Sequence, residues 1–77
     1  MNATVMTLAT YYALKEVKAS IVRDEGYRGL RGLETAELKT RARAFLDKHP
    51  EIVARAVKTV RNDRALRRMA ERHGSLQ

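Results

Sequence analysis

Apolar side chains recur every three or four residues along this chain, and no stretch alternates apolar with polar positions as a half-buried strand would. From Ala3 to about Asp24 nothing interrupts a helix, and Gly26 stands where a glycine just past the last turn releases the chain. Pro50, the sole proline, suits a first helical position, where its missing N–H costs nothing. The pattern predicts an all-α fold class: one small domain over residues 1–77, built of three to four helices with a long N-terminal helix. The helices are expected at about 3–25, 35–47, 50–61 and 63–73.

At about 100° per residue, Val5, Leu8 and Tyr12 share one side of the first helix, and Leu14, Val17 and Ile21 share roughly the opposite side. A helix laid on a small domain needs a single apolar face, so the second stripe calls for a bend, a further helix or a partner subunit. The expectation is a homodimer joined through Leu8, Tyr12, Leu14, Val17 and Ile21, with the hydroxyls of Tyr11 and Tyr12 at its wet edge.

The second helix, capped by Glu34 or Thr35, is expected to bury Leu38, Ala42, Phe45 and Leu46. The third, beginning at Pro50, is expected to bury Ile52, Val53, Ala56, Val57 and Val60. Leu66, Met69 and Ala70 fall about 130° out of phase with that face. A break at Asn62–Asp63 resolves the mismatch, with either residue capping a fourth helix that stops at Gly74. The competing arrangement is one helix over residues 50–73 wrapping around a partner.

Between the first two helices lies GYRGLRGL, residues 26–33. Gly26, Gly29 and Gly32 follow a helix and are three apart, whereas nucleotide-binding glycine loops use other spacings, and the dinucleotide fingerprint follows a strand. The segment reads as a connector in which Gly29 and Gly32 permit tight turns and Leu30 and Leu33 anchor it to the core. Arg28 and Arg31 then face solvent, where they are available to phosphate.

Composition changes this picture in two ways. The 77 residues include no cysteine, which removes disulfides, thiolate metal ligands and thiol nucleophiles together. There are 16 Lys and Arg against 9 Asp and Glu, a net charge of +7 that draws anionic partners. Between Arg55 and Arg72 seven basic residues face two acids, Asp63 and Glu71, so this stretch carries most of the excess.

Arg61, Arg64, Arg68 and Arg72 recur three or four apart, with Arg67 beside them. The planar guanidinium fork matches phosphate with two hydrogen bonds, which points to nucleic acid. The candidate contacts are Arg55, Lys58, Arg61, Asn62, Arg64, Arg67, Arg68 and Arg72, with Arg28 and Arg31 as secondary ones. Duplex DNA or structured RNA is favoured over a single strand, because no aromatic side chain lies in the basic stretch to stack on bases. A helix-turn-helix over residues 35–61, reading bases with Glu51, Arg55, Lys58 and Asn62, is a weaker expectation, since its connector at 47–49 has no glycine.

No enzyme is expected, and no cofactor or metal. His49 and His73 are not at ligand spacing, and Ser20 and Ser75 have no base nearby in sequence. The N-terminal run is interrupted by Asn2, by threonines and by Lys15, so neither a membrane span nor a secretory signal is expected. The expectation is a cytoplasmic protein with a regulatory role and no membrane partner. The competing function is a small non-enzymatic adaptor or inhibitor that binds another protein, its apolar first helix gripping a subunit or partner and its basic ridge competing for a charged surface.

Overall fold

A computed structural model describes residues 2–72 of the chain. Four helices follow one another: α1 (Ala3–Arg31), α2 (Thr35–Lys48), α3 (Pro50–Asn62) and α4 (Arg64–Arg72), with no strand among the described residues. The fold is thus a small all-α domain with a long N-terminal helix.

Asn2 starts α1 from an extended backbone, and its side-chain oxygen accepts the N–H of Thr4 at 2.9 Å. At Gly26 the backbone leaves helical geometry with φ at 74°, a region that costs glycine nothing and other residues a steric penalty. Helical geometry then resumes through Arg31, which corrects the reading of residues 26–33 as a connector of turns. Gly29 lies inside this last helical stretch, and Gly32 closes it in the ordinary right-handed region, its N–H bonded to the Arg28 carbonyl at 3.1 Å. Among the described glycines only Gly26 has a positive φ, while at Gly29 the missing side chain leaves room for a neighbour, since a Cβ there would lie 2.6 Å from the Glu25 Cβ. Leu30 and Leu33 are half-buried and lie outside the main core.

Glu34 occupies the N-cap position of α2 but makes no capping bond with its side chain. His49 ends α2 and begins α3, with Pro50 at the first turn as its chemistry favours. Asp63 breaks the chain between α3 and α4 with an extended backbone. Its carboxylate accepts the N–H of Leu66 at 3.0 Å, and its carbonyl accepts the N–H of Arg67 at 2.8 Å. Residues 50–72 therefore form two helices rather than one, and the expected stop at Gly74 lies outside the described residues.

The core explains the two stripes on α1. Its buried apolar residues are Val5, Ala9, Ala13, Val17 and Ile21, every fourth position. Because a turn takes 3.6 residues, steps of four advance about 40° each around the axis, so this ridge winds from the first stripe to the second. After the short link 32–34, α2 returns along α1, and α3 and α4 close over the N-terminal part. Val17 and Ile21 are buried in the single chain, and Leu8, Tyr12 and Leu14 are half-buried. The further helices thus cover the second stripe at Val17 and Ile21, one of the three arrangements it called for, while Leu8, Tyr12 and Leu14 keep part of their surface open to a second subunit.

Alanine sits wherever helices approach: Ala9, Ala13, Ala42, Ala56 and Ala70 are each at 0% exposure. Their small side chains let the axes come close, as interaxial distance follows side-chain size at the contact. Around them pack Val5, Leu46, Ile52 and Val60, with Phe45, Val53, Val57 and Leu66 partly buried at the margin. Met69, expected to face inward, remains 48% exposed.

Candidate functional site

The basic stretch falls on two helices that pack on one another and meet at Asp63. Ala56 and Val60 hold the inner face of α3, and Ala70 holds that of α4. Arg55, Lys58, Arg61 and Asn62 on α3, and Arg64, Arg67, Arg68 and Arg72 on α4, are all exposed. On a helix anchored by Ala70 and half-buried Leu66, residues 64, 68 and 72 fall on the side turned away from the core, with Arg67 on its flank.

Two acids lie within this stretch. The carboxylate of Asp63 is engaged in capping α4, and Glu71 is exposed. Among the described residues the ion pair is Arg41–Glu37 at 3.4 Å, with His49 in hydrogen-bond contact with Glu51 at 3.0 Å, so no acid is joined to an arginine of α3 or α4. Arg55 has a different partner: its guanidinium carbon lies 4.3 Å from the centroid of the Tyr12 ring. The Tyr12 hydroxyl in turn donates to Thr59 Oγ1 at 3.3 Å, and Thr59 donates to the Arg55 carbonyl at 3.0 Å. Arg55 thus braces α3 against α1 as well as facing solvent.

Arg28 and Arg31 are exposed at the far end of α1. Asn2, at its near end, donates to the carbonyl of Ala70 on α4 at 3.0 Å. About 40 Å of helix separates the two ends, so the 26–33 segment does not fold back beside α4.

A second feature gathers where α2 meets α3. The rings of Phe45 and His49 stack with centroids 4.2 Å apart, and His49 Nδ1 lies 3.0 Å from Glu51 Oε1. The Glu51 carboxyl is held below its usual value chiefly by a backbone hydrogen bond at the start of α3; desolvation opposes this, and His49 adds a lesser lowering. The adjoining hollow, about 360 Å³, mixes Lys15 and Arg55 with Glu16 and Glu51, so it favours no one sign of ligand. No group of three potential metal ligands occurs among the described residues, and His73 lies outside them.

A third feature is apolar. A groove of about 740 Å³ runs between α1 and α2, floored by Met6, Thr10 and Leu14 and flanked by Lys39 and Arg43. A smaller hollow of about 500 Å³ lies between α1 and α4, with Leu8, Leu66 and Met69, and Tyr11 borders both. Sequence reasoning passed over the groove, although Met6, Thr10 and Leu14 stand every fourth residue, the same step as the buried ridge beside them. It also passed over Ala9 and Ala13, since only large side chains were used to draw the stripes.

Compared with known proteins, the chain matches no family model, no curated protein and no solved structure at a significant level. No helix among the described residues is long and apolar enough to cross a membrane.

Proposed function

We propose that this chain is a small, non-enzymatic nucleic-acid-binding protein that grips the phosphate backbone with arginines of α3 and α4, in a regulatory role in the cytoplasm. The observation that carries the reading is the state of those side chains. Arg61, Arg64, Arg67 and Arg68 are exposed and unpaired with any acid of the described residues, while Asp63, the acid in their midst, is engaged as a helix cap. A purely solvating surface gains from interspersed ion pairs. A phosphate-binding one needs its guanidinium groups free, and the net charge of +7 adds long-range attraction.

Arg61, Arg64, Arg67, Arg68 and Arg72 serve as backbone contacts, which position a duplex without reading it. Lys58 and Asn62 lie on the exposed face of α3 and supply any preference among bases. Arg55 contributes less than its neighbours, because moving it costs the contact with Tyr12. Arg28 and Arg31 lie outside the footprint.

The test is a titration of the folded protein with random duplex DNA, structured RNA and single strands at two salt concentrations. Binding to duplex or structured RNA that weakens steeply with salt supports the reading. Asp63→Asn keeps a capping oxygen and removes one negative charge, so it should tighten binding several-fold at low salt. Absence of binding to every nucleic acid at about 50 mM salt overturns the proposal.

A further inference from the structure

The groove between α1 and α2 points to a second interaction surface, and we infer that it receives an acidic amphipathic helix of a partner protein. Its floor is apolar by construction. Met6, Thr10 and Leu14 follow one another every fourth residue, and the Thr10 hydroxyl donates to the Met6 carbonyl at 2.7 Å, so its polar group is satisfied within α1. Tyr11, 55% exposed, forms the wall and carries Lys15 5.7 Å from its ring centroid.

From Met6 to Leu14 the floor runs about 12 Å, two helical turns. That length takes the anchors a docked helix presents at i, i+3 or i+4, and i+7. The groove has the dimensions for a helix face rather than for a buried small molecule.

Charge selects the occupant. Lys39 and Arg43 stand one turn apart along the α2 edge, both exposed and with no ion pair among the described residues. Asp47 follows one turn later, so the edge reads cation, cation, acid. A helix with carboxylates along its flank complements the first two positions, and a basic residue at its end complements the third. A second copy of this chain fits poorly, because it brings a charge of +7 against +7. The surface lies on α1 and α2 and does not share the arginines of α3 and α4, so it stands or falls separately from the nucleic-acid reading.

The experiment uses a fluorescein-labelled peptide of about 15 residues, with leucines at i, i+4, i+7 and i+11, glutamates along one flank and a lysine at one end. Fluorescence polarisation should show saturable binding at micromolar concentration. Binding should fall about tenfold in the double variant Lys39→Glu, Arg43→Glu, and also in Tyr11→Ser, with circular dichroism confirming that each variant is folded. It should persist in Arg64→Gln, Arg68→Gln, and a peptide with its glutamates replaced by lysine should not bind. Three results overturn the inference. They are no binding by the acidic peptide, binding lost in the Arg64, Arg68 variant but kept in the Lys39, Arg43 variant, or sedimentation of the unmodified protein as a dimer that Tyr11→Ser dissolves. The last would assign the groove to a second copy.

Discussion

The side-chain amide of Asn2 donates to the backbone carbonyl of Ala70 at 3.0 Å, joining the start of α1 to α4 across 68 positions of sequence. The oxygen of the same amide caps α1 through the N–H of Thr4. One buried side chain therefore serves two helices. Asn2→Ala should cost about 2 kcal/mol in urea unfolding, a lost cap together with a lost buried hydrogen bond. Asn2→Asp keeps the capping oxygen but sets a carboxylate against the Ala70 carbonyl. Its loss should appear as faster amide exchange in α4 with α1 little changed, and uniform exchange changes would contradict the link.

Ala13 is fully covered by the neighbouring helices, whereas Ala19, on the same helix, is exposed. Ala13→Leu should force the helices apart and lower stability by about 3 kcal/mol, while Ala19→Leu should stay within about 0.5 kcal/mol of the parent. Thermal unfolding of both variants checks this, and equal effects would mean that the crossing is not as close as described.

Among Gly26, Gly29 and Gly32, a backbone penalty is expected at Gly26, where φ is positive, and a steric one at Gly29, whose added Cβ would lie 2.6 Å from the Glu25 Cβ. Gly26→Ala should destabilise by about 1 kcal/mol although nothing lies within 4 Å of the added methyl group. Gly32→Ala should be neutral or stabilising by about 0.5 kcal/mol, since its backbone is right-handed and the nearest atom would lie at 3.5 Å. The reverse order in urea titrations would contradict the kink at Gly26.

Glu51 is more acidic in the folded chain than in the unfolded one, so its ionised form favours folding. That contribution is present above the ordinary carboxylate range and is lost as pH falls through the lowered value. Glu51→Gln should therefore flatten part of the fall in melting temperature between about pH 5 and about pH 3. An acid limb identical to the parent's would contradict the lowering of the Glu51 carboxyl by the start of α3 and by His49.

Helix order was legible because its signals are local. Pro50 marks a helix start by its own covalent geometry, and the phase jump between Val60 and Leu66 requires a break that Asp63 supplies. The covering of α1 was not legible, because drawing stripes from Leu, Val and Tyr omits Ala9 and Ala13, the residues at the centre of the ridge. Gly29 and Gly32 misled in a related way, since glycine permits a turn without requiring one. Of the proposed site, the exposure of Arg64 and Arg68 follows from their spacing against Ala70. The ring partner of Arg55 and the distance of Arg28 and Arg31 depend on how α1 lies against α3 and α4, which no local pattern encodes.

The most direct test of the nucleic-acid reading is the salt dependence of binding to one duplex, compared between the unmodified protein, Arg64→Gln, Arg68→Gln, and the control pair Arg28→Gln, Arg31→Gln. For a duplex the slope of log affinity against log salt is about −0.9 for each phosphate neutralised. Each α4 substitution should weaken binding alike for all sequences and reduce the slope by about one, with the control pair leaving it unchanged. A slope that stays the same in the Arg64 and Arg68 variants, or that falls equally in the control, would contradict the account.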